Sequence, residues 1–268
     1  MWPQDPNAGG GSRKNIHDSL NHSLRRLKTD YIDLYWLHAH DAFTPAEETM
    51  RALDDIVRAG KVRYIGFSDT PAWYLARAQT MAEFRGWSPV IALQIEYSLL
   101  QRTVEGELIP AAMELGMGVT PWSPLASGAL SGKYSRTRRD ADEGGRQWVA
   151  NKLDDRAYTI LDVLEAVARE HSTTVARVAL SWVQSRPGVT STIIGARTMQ
   201  QLHDNVGALE VNLTDDQVDR IDEVSKPTLN FPHDFLLRAG SFMQGGATID
   251  GRPSEPWPMA PQNESERW

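Results

Sequence analysis

At 268 residues, with 41% hydrophobic and 24% charged side chains, the chain has the material for one large globular domain. Its formal charge of −7 would repel phosphate backbones and anionic lipid, which argues against nucleic-acid and membrane-surface partners. Cysteine is absent, which excludes disulfides, thiolate metal sites and a cysteine nucleophile; with no signal-like apolar start and no apolar run near the ~18 residues of a membrane span, a soluble cytoplasmic protein is expected.

Ile16, Leu20, Leu24 and Leu27 recur at helical spacing and predict a first helix that stops at the polar Lys28-Thr29-Asp30 turn. Residues 31–39 (YIDLYWLHA) read as a strand, being rich in aromatic and branched side chains. The next helix has marked ends. Thr44 is the expected N-cap, Pro45 the first helical residue and Glu47 the third, with Gly60 at the carboxyl cap. Residues 62–68 form a second strand, and Thr70-Pro71 opens the following helix. Residues 90–97 are a third strand, whose helix ends near Gly116, and 118–122 a fourth, leading into a loop from Ser123 to about Asp154. Two helices follow, roughly 156–170 and 174–185, broken by Pro187-Gly188. Residues 190–195 are the fifth strand, followed by a helix starting near Thr198. A last helix takes Thr214 and Gln217 as its capping box. Pro, Gly and polar residues dominate from Lys226. The domain is expected to end near residue 240, and 241–268 to form a poorly ordered tail.

Strands alternating with helices predict a parallel sheet with helices outside. Five strands suit an open doubly wound sheet, or five of the eight units of a barrel, and periodicity does not choose between them. In both, ligands sit at the carboxyl ends of the strands. Read in order, those ends offer His38, Ser68-Asp69, Gln94, Trp122-Ser123 and Gly195-Ala196-Arg197. A histidine, amide and hydroxyl groups and a ring suited to stacking fit a planar heteroaromatic ligand.

Five segments then carry a resemblance: YIDLYWLHAHD, YIGFSDTPAW, ALQIEYSLL, VTPWSPLASGALSGKY and IIGARTMQQLHDN. In this order they resemble the aldo-keto reductase superfamily, above all its aryl-alcohol-dehydrogenase-like and potassium-channel-β-like branches. The likeness runs from about Asp5 to Asp234. It implies a (β/α)8 barrel of the TIM type that reduces aldehydes or ketones with NADPH, the strands here being the fourth to the eighth. His38 then matches the catalytic histidine that orients the substrate carbonyl. Ser68, Asp69 and Gln94 match the residues that hold the nicotinamide carboxamide. Asparagine is usual where Asp69 stands, and a carboxylate accepts hydrogen bonds without donating. Trp122, directly before Ser123-Pro124-Leu125, matches the aromatic that stacks on the nicotinamide.

The small residues after it, including Ser127 and Gly128, would admit a pyrophosphate, with Lys133 adding positive charge. Gly195 ends the last strand, and Arg197 at the following helix start suits the 2′-phosphate of NADPH. Gln201, Asp204 and Asn205, three to four residues apart, share a helix face that would meet the adenosine.

The family's proton-donating tyrosine and its lysine and aspartate partners come from segments before the fourth strand. The expectation is therefore an N-terminally truncated chain, lacking the first three βα units, impaired in turnover and dependent on a complementing partner for solubility. Tyr35 and Tyr97 fall on strand faces opposite His38 and Gln94 and are not expected to substitute. Two further readings compete. One is a non-catalytic NADP-binding module that acts through a partner. The other is a metal-dependent hydrolase using the His38-x-His40 pair, with Asp69 as a third ligand. Residues 231–237 (FPHDFLL) are a candidate apolar wall for the carbonyl substrate.

Overall fold

The structure, a computed structural model, describes residues 8–136, 149, 151–261 and 263–266. The expected opening loop before residue 8 and most of the loop between residues 137 and 150 lie outside them.

Helix α1 (Arg13–Leu27) begins at Ser12, whose side chain accepts the Asn15 N–H, and buries Ile16, Leu20 and Leu24, while Leu27 is exposed. It stops at Lys28, which adopts a left-handed φ of 56°. Strand β1 (Ile32–Leu37) is shorter than the apolar pattern. Helix α2 (Ala46–Arg58) ends in paired bonds from Gly60 N–H to Val57 O and from Lys61 N–H to Ile56 O. That closure needs the positive φ of 72° that glycine supplies at 60. The start of α2 departs from the expected cap. Thr44 does not cap it, because its hydroxyl donates to Asp41 Oδ2 at 2.6 Å, and no side chain serves the helix end.

Strands β2 (Val62–Ser68), β3 (Val90–Glu96) and β4 (Gly118–Trp122) follow with helices α3 (Ala72–Arg85) and α4 (Leu108–Glu114) between them. They pair in parallel in the order β1-β2-β3-β4. One face carries Leu37, Phe67, Leu93 and Val119 in lateral register, the last three with no exposure, and packs into the core. Helices α5 (Asp155–Glu170), α6 (Val175–Gln184), α7 (Met199–Val206) and α8 (Asp215–Ser225) complete this unit. The capping box of Thr214 with Gln217 is present at α8.

The fifth strand is reduced to a single parallel bridge, Val119 to Val189. Val119 N–H reaches Gly188 O and Thr190 N–H reaches Val119 O, but the next donor in the ladder would be Pro121, which has no N–H. Thr192 N–H then turns to Gln184 Oε1 (3.1 Å), and Ile193 N–H takes Pro121 O one residue out of step. The expected strand over 190–195 is thus corrected to an edge segment beside a parallel sheet of four regular strands.

A second compact unit runs Pro227–Trp268 and so includes residues 227–240, which the sequence pattern joined to the first. It contains helices α9 (His233–Arg238) and α10 (Gly240–Gln244) and a two-residue antiparallel pair, β5 (Thr248–Ile249) with β6 (Arg252–Pro253). No helix among the described residues is long and apolar enough to cross a membrane.

Candidate functional site

Side chains alternate along a strand, so the face turned from the core carries Trp36, Gly66, Ala92 and Gly118 in one row of paired positions. The row towards the carboxyl ends carries Ser68, Gln94 and Thr120. His38, exposed and one residue past β1, continues the parity of Trp36. The lower row is nearly free of bulk, and Trp36 uses the space: a Cβ on Gly66 would stand 2.6 Å from its ring.

Above the polar row the strand ends are joined through the backbone. Asp69 N–H donates to Gln94 O (3.0 Å) and Tyr97 N–H to Trp122 O (3.2 Å). Side chains meet as well. Trp122 Nε1 donates to Asp69 Oδ1 at 3.1 Å, which spans from β4 to the end of β2 over the strand that bears Gln94. Asp69 and Ser123, both directly beyond strands, hold left-handed φ of 42° and 55°, and Ala126 and Ser127 follow at 49° and 61°. Such a cluster of non-glycine residues costs about 1–3 kcal/mol each and is typical of ligand sites.

The loop after β4 is self-contained. Ser123 Oγ accepts Ser127 N–H (2.9 Å), Ser123 O accepts Ala126 N–H (2.8 Å), and Leu125 O accepts from Gly128 (2.9 Å) and Leu130 (3.1 Å). Pro124 is buried beneath, and Lys133 is exposed beyond. At the sheet edge Gly195 and Arg197 are exposed. Gln201 Oε1 accepts Arg197 N–H (2.8 Å), Asn205 Nδ2 donates to Gly195 O (3.1 Å), and Asp204 turns towards α6.

One charged pair at this end escaped the motif reading. Glu96 shares its parity with Gln94 on β3, and Lys152 Nζ donates to its Oε1 at 2.7 Å. The strand parity was the available signal for Glu96. Its partner, 56 residues on, left none.

Neither nearby tyrosine faces this group. Tyr35 lies on the core side beside Ile65, where burial pushes its phenol above the ordinary range. Tyr97 is 1% exposed and its hydroxyl donates to Glu105 Oε1 (2.7 Å); burial first, then Glu105, push its pKa well up. Tyr64 shares the open face but stands four residues before Ser68, roughly 13 Å along the strand. The histidine pair is also divided. His38 is exposed, whereas the His40 ring packs edge-on against Tyr74 (4.6 Å) and Trp73 (5.6 Å). No group of three or more His, Asp or Glu that could hold a metal occurs among the described residues.

What the arrangement offers is an indole, a carboxylate, an amide and an imidazole along adjoining strand ends, with an exposed guanidinium at the sheet edge. Comparisons with known proteins show the family. Residues 2–226 match the model of the aldo/keto reductase family. The chain is 41% identical over 214 residues to the uncharacterized oxidoreductase YrpG of Bacillus subtilis, covering 78% of this chain and 64% of that protein. It is 34% identical over 233 residues to an aryl-alcohol dehydrogenase of Pestalotiopsis microspora (87% and 59%). A probable voltage-gated potassium channel subunit beta of Oryza sativa is 38% identical over 234 residues (84% and 71%). The chain thus spans about three fifths to seven tenths of the length of these curated relatives.

Proposed function

The chain belongs to the aldo/keto reductase family, and on that premise we propose that it binds NADPH along its strand ends and contributes His38 to the reduction of an aldehyde or ketone. The observation that carries this reading is the hydrogen bond from Trp122 Nε1 to Asp69 Oδ1. It joins two of the expected nicotinamide residues across the strand that bears a third, Gln94. In the (β/α)8 barrel of the family, β1 to β4 and the edge segment at Val189 are consecutive strands, the fourth to the eighth.

The donor set suits the cofactor. Gln94 can donate and accept towards a carboxamide, Asp69 accepts, and the Arg197 guanidinium suits a phosphate by forked bonding. When bound, the nicotinamide supplies the hydride. Trp122 would fix which ring face is presented, Ser68 with Asp69 and Gln94 would hold the carboxamide, and His38 would orient the carbonyl oxygen. Ser123, Pro124, Leu125, Ser127, Gly128 and Lys133 would flank the phosphates. Gly195, Arg197, Gln201, Asp204 and Asn205 belong to the adenosine end. The cysteine-free composition supports a reducing, cytoplasmic setting.

One observation favours a second reading, NADP binding without turnover. The Tyr97 hydroxyl is given to Glu105 and Tyr35 packs into the core, so neither presents a proton beside His38. A positioned general acid contributes typically 10²- to 10⁴-fold.

The test is a fluorescence titration of the purified chain with NADPH, run beside an assay with an aromatic aldehyde. Saturable binding is expected, weakened roughly tenfold by Arg197→Ala, as the loss of a charge-assisted pair predicts. Turnover would select the reductase, and binding without turnover the module. A cooperatively folded protein that ignores NADPH would dismiss both.

A further inference from the structure

Helix α7 is gripped from behind by α6. Asp204 Oδ1 takes Arg177 Nε at 2.9 Å, and the Thr174 hydroxyl lies 3.2 and 3.1 Å from the two carboxylate oxygens. The same hydroxyl accepts Arg177 N–H (3.2 Å) and so caps α6. Gly207, directly after α7, completes the grip. A Cβ there would stand 2.4 Å from Arg177 Cζ and 2.6 and 2.7 Å from its terminal nitrogens, near-equal distances that mean the planar group lies face-on against the glycine. A side chain at 207 would push the Arg177 guanidinium off this seat.

The front of α7 holds the turn that follows the edge segment. Gln201 Oε1 takes Arg197 N–H, Thr198 Oγ1 caps α7 by taking Gln201 N–H (3.2 Å), and the buried Asn205 donates to Gly195 O. Residues 195–198 are therefore suspended from two side chains one helical turn apart, on a helix whose own place is set by Asp204 and Arg177.

We propose that Arg177 and Asp204 are positioning residues for the 2′-phosphate of the dinucleotide. They fix α7, and through Gln201 and Asn205 they fix the turn that presents Arg197. This rests on the reading of Arg197 as the phosphate ligand. It assigns Asp204 a different part from the adenosine contact implied by the family likeness: its carboxylate is directed at α6 and acts through Arg177.

The discriminating experiment is a double-mutant cycle with Arg177→Ala, Asp204→Asn and the pair, titrated calorimetrically with 2′,5′-ADP and with 5′-AMP, which lacks the 2′-phosphate. Each single change is expected to weaken 2′,5′-ADP about tenfold, within the range of ordinary coupling between sites, and 5′-AMP less. The pair should be no worse than the weaker single, because both break one clamp. Arg177→Lys, which keeps a cation for Asp204, should recover most of the loss. Amide exchange at Arg197–Gln201 should speed up in both single variants while α5 stays protected. Loss of affinity in Asp204→Asn alone, with Arg177→Ala binding like the unaltered chain, would mean direct contact with the ligand and overturn the clamp; so would unchanged exchange at Arg197–Gln201. Failure of the unaltered chain to bind 2′,5′-ADP strikes the cofactor reading instead, and the exchange result still decides the clamp.

Discussion

Asp69 gathers much of the candidate site's chemistry into one side chain. As a carboxylate it accepts the Trp122 indole N–H and has no proton to give a carboxamide oxygen. An amide at this position keeps the accepting oxygen and adds two donors. Asp69→Asn is therefore expected to tighten NADPH about two- to tenfold, the worth of one added hydrogen bond, read by fluorescence titration. Looser binding would show that the negative charge itself is used. Gly66 matters for its lack of a side chain: a methyl there would meet the Trp36 ring at 2.6 Å. Gly66→Ala should cost about 1–3 kcal/mol through overpacking, seen as a lower urea midpoint at unchanged slope. That Ser68 and Gln94 reach the strand ends was legible because strand parity is a local property, whereas Thr120 joined them only through the register of β3 with β4. The dependence of Trp36 on Gly66 was not legible, since it arises between strands 30 residues apart.

At the scale of elements, α8 is tied to the end of β3 by a network that no motif announced. Arg102, 5% exposed, forks onto Glu105 (2.8 and 3.0 Å) and reaches Asp222 Oδ1 (2.8 Å) and Ser225 Oγ (2.6 Å). Asp222 also takes Trp182 Nε1 (3.0 Å) and Arg186 (3.0 Å). Both guanidinium carbons sit 4.8 Å from the ring centre of the fully buried Trp182. Removing the shared carboxylate leaves Arg102 with Glu105 but takes the acceptor from the buried Trp182 N–H and from Arg186, so Asp222→Ala is expected to destabilise the protein by about 1–3 kcal/mol in chemical denaturation. A change below about 1 kcal/mol would mean that water reaches these donors and replaces the partner. Helix ends were legible where nothing else claims the capping side chain, as with Thr214 and Gln217, and misread where a neighbouring acceptor competed, as Asp41 does for Thr44 three residues on. The fifth strand was overcounted for a similar reason: its own residues favour a strand, but its neighbour contributes Pro121.

For the first unit as a whole, the segment before α1 is held to α2 and to the end of β1 by acidic groups. Asp41 accepts Thr44 Oγ1 and Gly11 N–H (2.8 Å), which hold its carboxyl down to about 2. Arg13 likewise lowers Asp55, and Arg13 N–H donates to Glu48 (3.0 Å). A depressed carboxyl stabilises the fold above its unfolded value and loses that contribution as pH falls through the folded one. Acidification from about pH 4 to 2 should therefore loosen this segment first, read as faster exchange at Gly11–Ile16 before α5 and α6 respond. In Asp41→Asn the Gly11 amide should already exchange faster at neutral pH and respond less to acid; an identical acid response in the variant would remove Asp41 from the account. The sequence alone determined the alternation of strands and helices, the parallel class of the sheet and which residues reach the strand ends, because each follows from periodicities and caps within about ten residues. Tertiary structure decided which of those residues touch: Trp122 with Asp69, Lys152 with Glu96, Arg177 with Asp204. Such pairings depend on where separate elements come to rest against one another, and no local pattern of side chains encodes that.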